Sequence, residues 1–353
     1  MENILEQVRS AIQVHLNTFE EKRTEFERKG KKAKRISLYL LMVMVGILAI
    51  SIFYFPYQSS GGPFPRPDFM DWLMMRIGIF LVLLFTIFLV FALMSPDKER
   101  KRLEETFKNK IFKSLVWVIN SNAAYHPKHF FSPDSLEQSN FFDHGIDEVE
   151  GEDYFTGEMN DKKYFFSEIE AFNIDKTGEN ERRSLVFKGL FVDTWIESRI
   201  DGGIMIMPKA FSSKKNQDLK VFIGGGEKKV ITSPYSSSFG SYYEIVANDF
   251  REVEEFLKPE LVRILCHLKE EMGYDVKMNV GAGKAYVAIS HTKFHDFFSI
   301  DYNKPLDKTL VHHSHKKSKV DILDEGITWT DTQLQDLIDE VSLYFELLDV
   351  LTK

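Results

Sequence analysis

Two apolar stretches dominate the pattern of this chain. Residues 36–55 (ISLYLLMVMVGILAISIFYF) run twenty positions without a charge, and twelve of them are Leu, Ile, Val or Phe. At 1.5 Å per residue such a helix matches a hydrocarbon core of roughly 30 Å, and at about −0.4 kcal/mol per strongly apolar residue insertion gains roughly 5 kcal/mol. Residues 77–94 form a second uncharged run of eighteen, fourteen of them of the same four types. The pattern predicts an integral membrane protein with a two-helix transmembrane hairpin, its helices at 36–55 and 72–94.

The charges around these runs predict an orientation. Eight Lys or Arg lie between Glu21 and Arg35, five lie between Ser95 and Asn109, and Arg66 is the one basic residue of loop 56–71. By the positive-inside rule both termini are cytoplasmic and the proline- and glycine-rich loop faces out. Trp72 and Arg76, one helical turn apart, read as an interface anchor, with the indole at the headgroup level and the guanidinium snorkelling outward. Lys29, Lys31, Lys32, Lys34 and Arg35 are candidate contacts for anionic lipid headgroups.

Helical periodicity flanks the apolar runs. Within residues 1–35, Leu5, Val8, Ile12, Leu16, Phe19 and Phe26 recur at three- and four-residue steps, and Leu103, Phe107, Ile111, Leu115 and Val118 do so within 95–121. These stripes either face each other as antiparallel helices or pair with a second copy as in a coiled coil. From Asn122 the texture changes to short β-like runs at 154–159, 163–168, 184–191, 203–207, 220–223 and 229–232. Asp249 and Glu252 mark a helix start, Pro259 interrupts that helix, and it resumes to Met272 before Gly273. Residues 274–280 and 284–289 read as a hairpin around Gly281-Ala282-Gly283, and Thr330 with Gln333 opens a last helix striped by Leu334, Leu337, Ile338, Val341, Phe345 and Leu348. Residues 122–353 are therefore expected to form a cytoplasmic α+β domain with a mainly antiparallel sheet.

Composition narrows the chemistry. The 353 residues carry 45 basic and 53 acidic side chains, a net charge of −8 that speaks against nucleic acid as a partner. Acidity concentrates between Asp134 and Arg183, where fifteen Asp or Glu face five Lys or Arg. A solvated acidic face is the simplest reading. One cysteine, Cys266, excludes a disulfide framework and a multi-cysteine metal site. The histidine groups His126 and His129, His291 and His295, and His312, His313 and His315 lack the glutamate of a helical zinc motif. Gly224-Gly225-Gly226 is followed by a β-like run where a phosphate-binding loop needs a helix. No catalytic motif emerges, and no cofactor or metal is expected.

Four segments, in order, resemble a known family. They are Glu150-Gly151-Glu152-Asp153-Tyr154-Phe155-Thr156-Gly157, Phe165-Phe166-Ser167-Glu168, Val186-Phe187-Lys188-Gly189-Leu190-Phe191 and Tyr243-Glu244-Ile245-Val246-Ala247-Asn248-Asp249, the last leading into the Pro259 helix. Together they resemble the bacterial DUF3137 family over most of residues 1–353, most specifically over 145–290. The resemblance implies a protein of the bacterial cytoplasmic membrane with two spans and a C-terminal domain of unassigned activity, and it brings no catalytic residues.

The function expected on these grounds is a membrane-anchored interaction or scaffold module, its partners the lipid bilayer and a protein or a second copy. The alternative is a homo-oligomeric membrane effector or pore with a cytoplasmic sensor domain.

Overall fold

The structure is a computed structural model. It describes residues 2–54, 77–78, 81, 84, 97–142, 145–176, 181–197, 200, 203–209, 229–231, 237–291, 297–300 and 333–353. The chain divides into two compact units. One comprises residues 1–13, 108–301 and 306–353, and the other residues 14–107 and 302–305.

In the second unit, helix α1 (Glu2–Tyr54) contributes its residues from Val14 onward, and α2 (Asp97–Thr106) runs beside it. Leu16, Phe19, Leu103 and Phe107 are buried, and the rings of Phe19 and Phe107 lie 6.1 Å apart. Within this unit the two stripes meet at Phe19 and Phe107. Arg23 is buried between Glu20 and Glu27, to which it donates at 2.7 and 3.3 Å.

The membrane reading is overturned here. Among the described residues no helix is long and apolar enough to cross a membrane. Helix α1 carries the run 36–55 as far as Tyr54, continuous with the charged residues between Glu2 and Arg35. Of the run 77–94, only Ile77, Gly78, Leu81 and Leu84 are described. The integral membrane class, the transmembrane hairpin and the multi-pass placement in the bacterial inner membrane with both termini cytoplasmic are therefore not retained. Loop 56–71, Trp72 and Arg76 lie outside the described residues.

The first unit is built on a nine-stranded sheet in the order β1-β2-β3-β4-β9-β8-β5-β7-β6, antiparallel at every described pairing. Its strands are β1 (Ala124–His126), β2 (Glu148–Met159), β3 (Lys162–Asp175), β4 (Arg182–Trp195), β5 (Ile204–Pro208), β6 (Lys229–Ile231), β7 (Tyr243–Ala247), β8 (Tyr274–Gly281) and β9 (Lys284–His291). The expected run at 220–223 lies outside the described residues. Its helices are a π-helical turn (Phe107–Phe112, from Lys108 onward), α3 (Lys113–Ile119), α4 (Pro133–Glu137), α5 (Ser237–Tyr242), α6 (Phe250–Phe256), α7 (Pro259–Glu270) and α8 (Gln333–Thr352). Asp249 caps α6 by accepting from the Arg251 N–H, and Pro259 opens α7 as its first residue, which ends one helix and starts the next. Ala282 and Gly283, both at positive φ, close the β8–β9 hairpin.

Strand alternation sorts the side chains into two layers. Phe166, Val192, Val287, Met278 and Ile206 lie opposite one another across five strands, all buried. The same face carries Tyr164, and Phe345 of α8 packs edge-on against Tyr164 and Phe166. The other face holds Ile169, Ala171, Phe191 and Ala288, which pack with Phe131 and Leu136 from the α4 region.

Candidate functional site

The helix-side layer is not purely apolar. Two polar clusters lie inside it, and the first draws on two of the segments that carried the family resemblance.

The first centres on Asp153. The pairing of β2 with β3 slips between Glu152 and Phe155, and at this bulge Asp153 takes φ +58°. Asparagine and aspartate tolerate that left-handed conformation better than bulkier residues. The bulge turns the Asp153 side chain into the core, where it is fully buried. Its Oδ2 accepts from Lys108 Nζ at 2.8 Å, its Oδ1 accepts from the Tyr125 hydroxyl, and its N–H donates to Pro127 O at 3.1 Å. Lys108 also reaches Glu152 Oε1 at 2.7 Å.

Burial pushes the Asp153 carboxyl up to about 6, against the pull of Lys108 and Tyr125. Burial alone would lower the Lys108 ammonium, but Asp153 and Glu152 outweigh it and raise its pKa. Glu168, buried on β3 directly opposite Glu152, completes an acidic trio whose oxygens lie within 4.8 Å of one another. Glu152, Asp153 and Glu168 are the described residues that could hold a metal ion, but the Lys108 ammonium already bridges two of them. A cation entering there would have to displace it.

The second cluster joins β8 to α8. Tyr274 and Tyr344 both donate to Glu340 Oε1, at 3.3 and 3.0 Å. The backbone N–H of Phe298 donates to the same carboxylate. Glu340 is half-buried as a residue, but its carboxylate is enclosed, and burial pushes it up to about 7 against those three donors. Burial likewise raises the hydroxyls of Tyr274 and Tyr344.

Between the clusters stands a stack of rings. Phe155 lies flat on Phe166 with centroids 4.2 Å apart. Phe298 touches Phe112, Phe155 and Tyr344 at 5.4, 5.3 and 5.8 Å. Carboxylates held by a lysine and tyrosines inside an aromatic layer fasten elements that are distant in sequence. Chemically they can exchange protons at near-neutral pH, and among the described residues no nucleophile sits beside them. Two described clefts lie elsewhere. One of about 380 Å³ is lined by Asn120, Asn122, Glu158, Asn160, Asp161 and Phe345. Another of about 420 Å³ runs along α7 past Cys266, His267 and Glu270.

The residues singled out from the sequence are scattered by comparison. Lys29 pairs with Glu25 at 3.1 Å and with Glu99 at 2.8 Å, and Lys31 pairs with Glu27, while Lys32, Lys34 and Arg35 are exposed on α1. His126 and His129 are exposed with rings 5.4 Å apart. His295, His312, His313, His315 and Gly224–Gly226 lie outside the described residues. Cys266 is partly exposed on α7, and burial raises its thiol, the opposite of an activated nucleophile. Sequence reasoning missed Lys108, Asp153, Tyr274, Glu340 and Tyr344. Glu340 left a signal, since it falls three residues after Leu337 and four before Tyr344, inside the apolar stripe of α8.

Comparison with known proteins adds little about activity. No curated protein matches the sequence. A crystal structure of the mycobacterial trehalose monomycolate transport factor A, TtfA, is similar over 48% of this chain and 75% of that chain, at 9% identity and a TM-score of 0.27. That likeness is too slight to carry an argument. The sequence model of DUF3137, described as a protein of unknown function, matches residues 185–353, from near the start of β4 onward. Of the four resembling segments, the third and fourth fall inside that match and the first two precede it. Residues 185–353 thus carry the sequence pattern of the DUF3137 family.

Proposed function

We propose that the chain is a protein-interaction or scaffold module whose partner adds a strand to the sheet beside β4. One observation carries this reading. β4 starts at Arg182, but β9 pairs with it only from Leu190 to Trp195. Among the described residues no strand lies along the first half of β4 on the side away from β3. Leu185 and Val186 are 44% and 39% exposed there. An open edge with exposed apolar side chains is a template for an extended segment of another chain. The bulge at Val186 and the cation Arg182 restrict what can pair, disfavouring a basic strand, while Arg183 is already held by Glu148 and Glu150 of β2. Trp195, 46% exposed at the far end of the same strand, is a second anchor of the kind found at binding hot spots.

The test is the size of the native complex in extracts of cells producing the full chain. The wild type is expected to sediment well above its own 41.1 kDa, and the variant Leu185→Lys with Val186→Lys is expected to sediment as the free chain. Wild-type protein sedimenting alone would overturn the proposal.

A second contact is favoured by α1. Leu38, Tyr39, Leu41, Met42, Val43 and Val45 are 50–67% exposed directly after the basic residues Lys29, Lys31, Lys32, Lys34 and Arg35. Exposed apolar side chains next to a cationic collar suit the surface of an anionic lipid layer, a contact that requires no crossing. Co-sedimentation with vesicles containing phosphatidylserine, lost with phosphatidylcholine vesicles and weakened by salt, is the expected result. Equal binding to neither or to both would contradict it.

A further inference from the structure

We infer that Phe297 and Phe298 form a plug seated over Glu340, and that ionisation of Glu340 unseats it.

The geometry is that of a local closure. Phe297 and Phe298 are adjacent, are 2% and 1% exposed, and insert both rings into the helix-side layer. Phe297 meets Tyr274 at 5.2 Å and Tyr344 at 6.3 Å, while Phe298 meets Phe112, Phe155 and Tyr344. To place two consecutive side chains inward the backbone turns sharply, with Phe298 at φ +54°, a conformation costly for a bulky residue. The N–H of that strained residue is fastened to the Glu340 carboxylate. The plug and the carboxylate therefore cover each other, and lifting the turn would let water reach Glu340.

The surrounding groups set the sign. On its own helix Glu340 has Tyr344 as a donor and Asp336 as a like charge that disfavours ionisation. From β8 comes Tyr274, on which Glu168 of β3 acts as a further negative neighbour. The turn contributes the Phe298 N–H. Arg263 of α7 is exposed and pairs with Glu346 rather than with Glu340. With no cation among the described groups acting on it, the enclosed carboxylate holds its proton to about pH 7 against 4.5 in water. The seated state binds the proton more tightly than the unseated one, so seating is strongest at low pH and is lost as pH rises from 4.5 through 7. Opening would bare the rings of Phe297, Phe298, Tyr274 and Tyr344, an aromatic surface separate from the β4 edge.

Hydrogen exchange of the full-length protein, corrected for the intrinsic pH dependence of exchange, tests this at residues 297–300. Opening of this segment should rise more than about tenfold between pH 5 and pH 7, while β8 and β9 keep their protection. In Glu340→Gln the segment should lose its pH dependence. Tyr344→Phe, which removes a donor to the ionised form, should move the transition to higher pH. A pH-independent segment in the wild type, the same slope in Glu340→Gln, or a loss of protection shared by β8 and β9 would overturn the inference.

Discussion

The ammonium of Lys108 and the carboxylate of Asp153 meet 2.8 Å apart in the core, although 45 residues separate them in sequence. Each is delivered by an irregularity. Lys108 sits in a π-helical turn, whose wider winding sets it inward together with Ile111 and Phe112, and Asp153 sits on the left-handed residue of a β-bulge. The pair ties the helix before the sheet to β2, and Tyr125 ties β1 to the same carboxylate.

Removing one partner should therefore cost far more than removing both. Lys108→Met leaves a buried carboxylate without its counter-ion, and a loss of about 3–5 kcal/mol is expected in urea unfolding. Adding Asp153→Asn should recover most of that loss, since the uncompensated charge is gone. Equal and additive losses would show that the two groups act independently.

The stability of this protein should fall as pH rises from mildly acidic to neutral. Burial raises the Asp153 carboxyl from 3.8 to about 6 and that of Glu340 from 4.5 to about 7. A raised carboxyl pKa means the folded state binds more protons than the unfolded one, so each contribution is complete below about pH 4 and is lost as pH rises through the folded pKa. Unfolding midpoints measured between pH 4.5 and 8 should decline across that window, and Glu340→Gln should flatten the decline.

Gly189 marks the point on β4 where pairing with β9 ends. A Cβ there would strike the carbonyl of Ile289, so the glycine lets the two backbones close up before β9 parts from β4. Gly189→Ala should destabilise by about 1–3 kcal/mol, and its effect should appear as faster exchange at Leu190 and Ile289.

Much of the sheet was legible because its strands obey simple alternation. The hairpin at Ala282-Gly283, the Asp249 cap and the Pro259 break all act through neighbouring residues and leave local marks. The candidate site was less legible because it depends on departures from regularity. A regular helix through 103–118 predicts the stripe Phe107, Ile111 and Leu115, and gives no reason to turn Lys108 inward. Regular alternation in β2 gives no reason to bury Asp153. The membrane expectation rested on the length of the apolar runs. The first of those runs is the distal end of one helix that begins at Glu2 with charged residues, and among the described residues no helix is long and apolar enough to cross.

The binding role of the β4 edge is tested most directly by placing a photo-crosslinking amino acid at Leu185 of the full chain in living cells, with Glu254 on α6 as an exposed control. Irradiation should yield a discrete protein adduct from position 185 and none from position 254, and the adduct should disappear when Val186→Lys is added. No adduct at position 185, or the same adducts from both positions, would contradict the proposal that this edge is where a partner joins the sheet.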